Sequence, residues 1–395
     1  MDDPLEQARE RFLAGVGHFE AGRITAARGA FEAALALAPD RPSVLGKLGI
    51  TLFRLGDWPR AAEVLARALI SDPGHAEARV CLGLSLEALG RWEAAAEALE
   101  RGLEDFDGGA SGWLALGRAL GHCGRFGDAL RALDHALARE EHLAEAWSVR
   151  GNVLRDLGRL DEAAESFRRA IDSGADPELH RYYLAASEGR TLPAAPRRFV
   201  ESLFDEYSVD FDAHLVGELG YRGHERLLRP LLDGGRRWRR VLDLGCGTGL
   251  CGSVVAPHAD VLDGVDVSAA MLGQARRRGL YRRLEHADLR DFLAAHAEPA
   301  DLILAADVFT YVGTLDDLFV QVRRLLAPDG VFAFTLERDD ADEDFRLLPT
   351  LRYAHSEAYV RRLAARHGFT VRDIITDGLR TDQARTLPAL YVYLQ

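Results

Sequence analysis

A glycine-rich turn after an apolar run is the first feature of the sequence that could do chemistry. Residues 241–249 read V-L-D-L-G-C-G-T-G, with an acid, Asp243, two residues before the first glycine. Dinucleotide-binding turns have the pattern G-x-G-x-x-G and hold a pyrophosphate at a helix N-terminus. Here Leu250 stands at the third glycine of that pattern, and the carboxylate of Asp243 would repel a phosphate. Asp243 suits an ammonium group, so the turn favours a nucleoside that carries an amino acid over a dinucleotide.

Three more acids stand at the ends of apolar runs that read as buried strands. Asp266 ends one run, 21 residues beyond Gly245, and Asp288 and Asp307 end the next two. Ligands of doubly wound sheets bind outside the carboxyl ends of the strands, so these acids should face one crevice. A carboxylate at Asp266 could accept hydrogen bonds from both hydroxyls of a ribose.

Alternating strands and helices after residue 240 supply the elements that position these acids. Apolar runs predict seven strands, at 240–244, 261–266, 283–287, 301–306, 330–336, 370–376 and 389–394. Helical patterns separate most of them, at 268–278, 314–326 and 356–367. The pattern predicts an α/β, Rossmann-like domain with a seven-stranded, mostly parallel sheet. The last two strands lack a helix between them and should form a hairpin with one strand antiparallel.

The turn D-x-G-x-G-x-G at 243–249 resembles motif I of the class I S-adenosylmethionine (SAM) methyltransferases. The segments that follow fit that family in order: G-V-D-V-S at 264–268, A-D-L at 287–289, A-A-D at 305–307 and L-A-P-D-G-V at 326–331. The resemblance implies SAM as cofactor and S-adenosylhomocysteine as product. It also implies that Asp288 takes the adenine amino group, that Leu289 lies on the adenine ring, and that 305–307 lies beside the sulfonium.

Further cofactor contacts follow from the same resemblance. Met271 would form a wall of the adenine slot, and Cys246 would offer its backbone N–H. Tyr207 and Tyr221 lie on helices that are expected to cover the cofactor. The predicted cofactor-binding residues are Asp243, Gly245, Cys246, Gly247, Asp266, Val267, Met271, Asp288, Leu289, Ala305, Tyr207 and Tyr221.

Methyl transfer is an in-line displacement at a sulfonium, and much of its rate can come from alignment of the reacting atoms. A general base is needed only where the acceptor is protonated, as a hydroxyl or an ammonium is. The candidates for that base are His214, His355, Asp307 and Tyr311, all in segments expected near the crevice. The sequence contains no cluster with metal-ligand spacing, which disfavours a metal-dependent reaction.

The first half of the chain repeats with a period of 34 residues. Three series follow this step: Gly15, Gly49, Gly83, Gly117 and Gly151; Gly22, Gly56, Gly90, Gly124 and Gly158; Phe31, Leu65, Leu99, Leu133 and Phe167. Each unit reads as a helical hairpin that must stack on its neighbours to bury its apolar face. The first glycine marks a close helix crossing, the second a left-handed turn, and the Phe/Leu position fills the core.

This pattern resembles tetratricopeptide repeats, five of them over about 8–177, with 178–187 as a helix that caps the stack. Such arrays bind a peptide or protein in a concave groove. By repeat phase the groove should present Phe12, Val16, Phe19, Ile50, Phe53, Val80, Leu84, Leu114, Arg118, Asn152 and Arg155. The alternative is that the apolar members pack against the preceding unit or against a second copy of the chain in a homodimer.

The sequence therefore predicts a multidomain chain: an all-α tetratricopeptide solenoid at 1–189, a linker and helical lid at 190–239, and a SAM-dependent methyltransferase core at 240–395. The segment F-D-E-Y-S-V-D-F-D-A-H-L at 204–215 resembles bacterial proteins that fuse these two modules. We expect O- or N-methylation of a peptide or protein that the repeats recruit. The alternatives are a small-molecule methyltransferase of secondary metabolism that dimerises through the repeats, and a non-catalytic SAM-binding scaffold.

Composition narrows the partners and the setting. The net charge of −13 argues against a nucleic-acid partner. No apolar run approaches the roughly 18 residues of a membrane span, and the start lacks a signal-peptide pattern. Four cysteines without paired spacing suit a reducing compartment. We expect a cytoplasmic protein.

Overall fold

A computed structural model describes residues 3–207, 212, 217, 220–233, 235–382 and 385–395. The chain divides into two compact units, Met1–His180 and Arg181–Gln395. The division falls before the predicted linker at 190. None of the helices in these described ranges is long and apolar enough to cross a membrane.

The first unit consists of helices that pair along the chain. They are α1 Pro4–Glu20, α2 Ile24–Leu37, α3 Pro42–Arg54, α4 Trp58–Ser71, α5 Ala76–Ala88, α6 Trp92–Asp105, α7 Gly109–His122, α8 Phe126–Arg139, α9 Ala144–Asp156 and α10 Leu160–Asp172. The next helix, α11 Pro177–Ser187, begins in the first unit and ends in the second. Five hairpins result, in the phase that the 34-residue period predicts.

Two positions of the repeat explain each hairpin. At Gly83, an added Cβ would lie 2.5 Å from Cγ of Leu99, so only glycine lets α5 cross α6 this closely. Leu99 itself is fully buried. Gly90 has a φ of +70°, the left-handed conformation that ends one helix and starts the next. The equivalent residues of the other four units show the same contacts and the same positive φ, which confirms the predicted roles of all three series.

The second unit is built on one sheet with nine strands among the described residues. The strands are β1 Trp238–Leu244, β2 Ala259–Asp266, β3 Arg283–His286, β4 Ala300–Ala305, β5 Leu326–Arg338, β6 Phe345–Leu347, β7 Tyr353–His355, β8 Val371–Asp382 and β9 Arg385–Leu394. Their order is β3-β2-β1-β4-β5-β7-β6, and β9 pairs with both β5 and β8. The pairs along β3-β2-β1-β4-β5-β7 are parallel, whereas β9 is antiparallel to β5 and to β8, as predicted.

The strand count corrects the predicted seven. The two extra strands, β6 and β7, have three residues each and pair antiparallel with each other. Such short strands leave no apolar run in the sequence, so the hydrophobic pattern could not show them.

Helices cover both faces of the sheet. They are α12 Arg197–Tyr207, α13 Gly223–Leu232, α14 Leu250–Val255, α15 Ala269–Arg278, α16 Leu289–Ala295, α17 Asp316–Leu325 and α18 Glu357–Arg366. One core layer joins α16, α17 and α18 to the sheet, and a second joins α13 and α14 to its other face. The alternation along β1 feeds both layers, because Leu242 and Leu244 enter the first and Val241 the second.

An aromatic cluster lies where the second unit begins. Tyr182 is fully buried, its ring packs on Phe199 and Tyr353, and its hydroxyl donates to the carbonyl of Leu351 at 2.8 Å. The second half of α11 therefore contributes to the core of this unit, besides any role as a cap of the repeats.

Candidate functional site

The site lies where the strand order of the sheet reverses. β1 pairs with β2 on one side and with β4 on the other, which makes its carboxyl end a topological switch point. Crevices that bind ligands in doubly wound sheets form at such points. The glycine turn follows β1, Asp266 is the last residue of β2, and Asp307 follows β4.

The glycine turn adopts a conformation that only its composition allows. Gly245, Gly247 and Gly249 have φ values of +65°, +53° and +90°. At Gly245 an added Cβ would lie 2.4 Å from Cγ2 of Val308, so the turn packs tightly against the segment after β4. At Gly247 nothing lies within 4 Å of that position. The turn is therefore supported beneath Gly245 and open above Gly247, where a bound group can approach the backbone.

Asp266 is tied to this turn. One oxygen accepts the N–H of Gly247 at 2.8 Å, and the other accepts the N–H of Ser268 at 2.9 Å. Burial raises the pKa of Asp266, and these backbone N–H groups oppose the rise. Each carboxylate oxygen has a second lone pair, so the group can still accept hydroxyls of a ribose. Because Asp266 takes the N–H of Gly247, that donor is not available to a phosphate.

Asp243 lies deeper than the sequence suggested. It is only 1% exposed, and its carboxylate accepts a 2.7 Å hydrogen bond from the hydroxyl of Tyr281. Burial raises the pKa of Asp243 to about 7, the Tyr281 bond lowers it, and nearby Asp266 raises it. The negative charge of Asp243 would attract a cationic ligand, although most of the carboxylate is not accessible to direct contact.

The residues predicted around an adenine lie on α15 and at the start of α16. Asp288 is half-buried and accepts the N–H of Arg290 at 2.8 Å, which caps α16. Leu289 and Val267 are half-buried, and Met271 is almost fully buried at 1% exposed. Asp288 thus keeps one oxygen for a partner, whereas Met271 is almost fully buried.

Two aspartates of the segment before the sheet are bonded to this site. Asp205 accepts the hydroxyl of Ser268 at 2.6 Å, and Ser268 caps α15 through the N–H of Met271. Asp212 accepts the hydroxyl of Thr248 at 2.6 Å and is bonded to Arg278. Arg278 also donates through Nε to the carbonyl of Thr248 at 2.6 Å. These contacts connect the segment 204–215 to the loops after β1 and β2, which contain predicted cofactor-binding residues.

Asp307, a predicted candidate for a general base, is half-buried and has a φ of +58°, which is strained for a residue with a side chain. Its N–H donates to Oγ1 of Thr335 at 2.8 Å, which holds this backbone. Tyr311 ends the 3₁₀ turn Phe309–Tyr311, and its ring meets Phe204 edge-on at 5.4 Å. Asp307 and Tyr311 are thus close in the chain and half-buried, and Tyr311 packs on an aromatic ring.

Three predicted side chains lie outside the crevice. His355 is fully buried, and its Nε2 is 2.8 Å from the carbonyl of Gly313, so it can reach no substrate. Tyr221 is 3% exposed and packs on His224 in the core beneath α13. The side chain of Ala305 is fully buried in the opposite core layer, which leaves only its backbone for the crevice.

Three other predicted residues are His214, Tyr207 and Cys246. His214 lies outside the described residues, and Tyr207 ends α12 with its side chain outside the described part. Cys246 is 6% exposed, and burial raises the pKa of its thiol well above the ordinary value. The backbone N–H of Cys246 donates to the carbonyl of Val265 at 3.0 Å. Neither the thiol nor this N–H is therefore free to act on a ligand.

No cluster of His, Cys, Asp or Glu among the described residues could hold a metal ion. The donors present suit an organic cation with hydroxyls. They comprise two buried carboxylates, a half-buried capping carboxylate and an open glycine backbone, with no arginine or lysine among the predicted residues to neutralise a phosphate.

Tyr281 was not among the predicted site residues, although two glycines outside the turn, Gly252 and Gly264, could have indicated it. Gly252 and Gly264 fit no ligand contact, yet an added Cβ at these residues would lie 2.4 Å and 2.9 Å from atoms of Tyr281. Small residues at both positions could have indicated a bulky partner. Tyr281 itself follows α15 without any motif.

The two units match different family models. Residues 242–332 match a family model described as a methyltransferase domain. The tetratricopeptide repeat model matches 12–76, 47–111, 80–121 and 114–178.

Two curated relatives are malonyl-[acyl-carrier protein] O-methyltransferases. The one from Geobacter sulfurreducens is 32% identical over 160 residues, which cover 38% of this chain and 57% of that protein. The one from Enterobacter lignolyticus is 30% identical over 163 residues, which cover 41% of this chain and 61% of that protein. The chain thus spans about three fifths of the length of these relatives. Among solved structures, the N-methyltransferase NodS from Bradyrhizobium japonicum in complex with S-adenosyl-L-homocysteine matches with a TM-score of 0.41 and 21% identity, covering 49% of this chain and 97% of NodS.

Proposed function

Because the chain joins tetratricopeptide repeats to a class I methyltransferase domain, we propose that it transfers a methyl group from SAM to a peptide or protein that the repeats recruit. The observation that carries the proposal is the hydrogen bond between Asp266 and Gly247. It joins the acid at the end of β2 to the glycine turn after β1 and occupies the N–H of Gly247, which a phosphate would otherwise take.

The residues present fit SAM as the cofactor. Asp266 would accept from the ribose hydroxyls, Asp288 would take the adenine amino group, and the open backbone at Gly247 would admit the amino-acid part. Asp243 would supply negative charge toward the ammonium group. When bound, SAM supplies an electrophilic methyl group on a sulfonium.

On the acceptor side, Asp307 and Tyr311 would orient the nucleophile. With His355 buried and His214 outside the described residues, these two are what is left of the four candidates for a base. An ionised carboxylate acceptor would need no base. The names of the two relatives favour oxygen as the acceptor atom, so we propose O-methylation.

The repeat groove supports recruitment of a peptide. Of its predicted residues, Ile50, Val80 and Leu114 are at most 5% exposed and pack between helices. The other eight are half-buried and remain available to a partner. Arg118 is bonded to Glu87 and Glu145, each at 2.9 Å, so the later repeats offer charged and polar groups. The polar, partly open part of the groove in the later repeats suits an extended peptide, whose backbone needs hydrogen-bond partners.

The first two repeats favour a second candidate. Phe12, Val16, Phe19 and Phe53 form an apolar surface there, with Arg54 4.3 Å above the ring of Phe19. Such a surface could pair two copies of the chain, and the enzyme would then methylate a small molecule. A SAM-binding scaffold without turnover is the remaining alternative.

The test combines SAM binding with a search for the acceptor. The full chain is titrated with SAM in a calorimeter and then incubated with methyl-labelled SAM and bacterial extract. The proposal expects binding, label in the protein fraction, and loss of both in Asp266→Ala. Label in the small-molecule fraction, from a dimeric protein, would favour the second candidate. Binding without any labelled product would favour the scaffold, and no binding would overturn the proposal.

A further inference from the structure

We propose that Tyr281 is a positioning residue for the cofactor: its ring supports the glycine turn from below, and its hydroxyl holds the Asp243 carboxylate toward a cationic ligand. The inference rests on the proposed function, since it concerns the same crevice. It adds a residue that lies outside every methyltransferase motif in the sequence.

The ring of Tyr281 fills a space that three glycines leave for it. An added Cβ would lie 2.4 Å from its hydroxyl oxygen at Gly252, 2.9 Å from Cε1 at Gly264 and 3.2 Å from Cε2 at Gly249. These glycines belong to α14, to β2 and to the end of the turn. One ring therefore contacts the three elements that shape the cofactor side of the crevice.

The hydroxyl of Tyr281 then connects this support to charge. It donates to Oδ2 of Asp243 at 2.7 Å, and Asp243 is shielded from solvent. A charge-assisted hydrogen bond of this kind is stronger than a neutral one and fixes the carboxylate in direction. The bond favours the ionised over the protonated form of Asp243.

Asp243 changes between its protonated and ionised forms close to neutral pH. Burial, with a smaller effect of Asp266, raises the pKa of Asp243 to about 7, while Tyr281 opposes the rise. The titratable groups that face Asp243 are Tyr281 from the turn after α15, Asp266 from the end of β2, Cys246 from the glycine turn and Cys251 from α14. None of these is a cation, so no neighbouring positive charge compensates Asp243 in place of a cationic ligand. Affinity for such a ligand should rise as Asp243 ionises.

Removal of the hydroxyl should move this titration in a defined direction. Without the hydrogen bond, the pKa of Asp243 rises further, and a hydrogen bond to a charged group is strong enough to change a pKa by about one unit. In Tyr281→Phe, SAM affinity should therefore fall by about tenfold at pH 6. At pH 9 it should fall by less than about twofold, because Asp243 is then ionised in both the wild type and the variant.

Tyr393→Phe is the matched control. Tyr393 belongs to the same core layer and is 4% exposed, but its hydroxyl donates to the backbone carbonyl of Leu227 at 3.0 Å. The experiment measures SAM affinity of the full chain and both variants by calorimetry from pH 6 to pH 9. We expect a shifted pH profile in Tyr281→Phe and an unshifted one in Tyr393→Phe. Equal profiles in wild type and Tyr281→Phe would overturn the inference.

A ligand-free measurement separates this inference from the proposed function. Thermal unfolding is recorded at pH 5.5 and pH 8.5 without SAM. The loss in Tm caused by Tyr281→Phe should be larger at pH 8.5, where the carboxylate is ionised, while that of Tyr393→Phe should be the same at both. If wild type fails to bind SAM but this difference is present, the proposed function fails and the Tyr281–Asp243 coupling stands. A loss in Tm that is independent of pH would reduce Tyr281 to packing.

Discussion

The carboxylate of Asp266 and the backbone N–H of Gly247 form a 2.8 Å hydrogen bond between the ends of two neighbouring strands. This bond fixes both the glycine turn and the carboxylate of Asp266. Because the second oxygen accepts from Ser268, the carboxylate has one orientation before any ligand arrives. Such preorganisation reduces the ordering that binding would otherwise require.

The first prediction concerns this carboxylate. Asp266→Ala should lower SAM affinity at least about 100-fold, because it removes ribose acceptors and leaves two buried N–H groups without a partner. Asp260→Ala is the control, since Asp260 lies on the same strand but is exposed and paired with Arg237. Calorimetric titration of the three proteins provides the comparison. Wild-type affinity in Asp266→Ala would remove the acid from the site.

The second prediction uses the buried histidine. Burial lowers the pKa of His355 to about 4, so the fold holds a neutral ring. Its contribution to stability is complete above the unfolded pKa of about 6.5 and is lost as pH falls toward 4. Between pH 7.5 and pH 5 the loss from this group should be roughly 2 kcal/mol.

His355→Gln tests this assignment, because an amide can still donate to the carbonyl of Gly313 without taking up a proton. We expect the variant to be less stable than wild type at pH 7.5 but to lose less stability on acidification. His258→Gln serves as the control in the same unit. Denaturant unfolding followed at both pH values measures the effect. An unchanged acid sensitivity in His355→Gln would mean that other groups dominate.

Most of the fold could be predicted because it depends on local periodicity. The 34-residue period fixes the five hairpins, since each repeats the same glycine and the same core residue. Strands β1 to β4 begin and end within two residues of the predicted positions, because buried parallel strands are continuous apolar runs. Strands β5, β8 and β9 each extend four to six residues beyond the predicted bounds at one end. β6 and β7 escaped because three residues leave no pattern.

The site was harder to predict because side-chain direction depends on tertiary packing. Asp266 follows from its place at a strand end, whereas His355 occupies a strand end but points into the core. Tyr221 was expected above the cofactor, yet its ring fills the space beside Gly223. Tyr281 has no signal in its own neighbourhood and becomes visible only through glycines 17 to 32 residues earlier in the chain.

The third prediction compares two glycines of the repeat unit. Gly83→Ala should destabilise the protein by about 1–3 kcal/mol, because the new Cβ would overlap Leu99 and lie 3.1 Å from its backbone nitrogen. Gly29→Ala should instead stabilise it by about 0.5–1 kcal/mol, since Gly29 lies within α2 with nothing within 4 Å of an added Cβ. Denaturant unfolding of the full chain gives both values. Equal effects would contradict the close helix crossing.

The last prediction concerns recruitment through the groove. The side-chain oxygen of Asn152 is shielded from solvent and has no hydrogen-bond partner among the described residues. Because the residue as a whole is half-buried, rotation of its amide would turn this oxygen toward the groove, where an extended peptide could donate a backbone N–H to it. Asn152→Ala should therefore raise KM for the protein acceptor about five- to tenfold, the value of one hydrogen bond, and leave kcat and SAM affinity unchanged. Glu104→Ala, an exposed change near the end of α6, controls for general effects on the array. The assay is methyl transfer from labelled SAM at varied acceptor concentration. A fall in kcat with KM unchanged would place Asn152 outside recruitment, because a groove contact made before the reaction affects binding and not the chemical step.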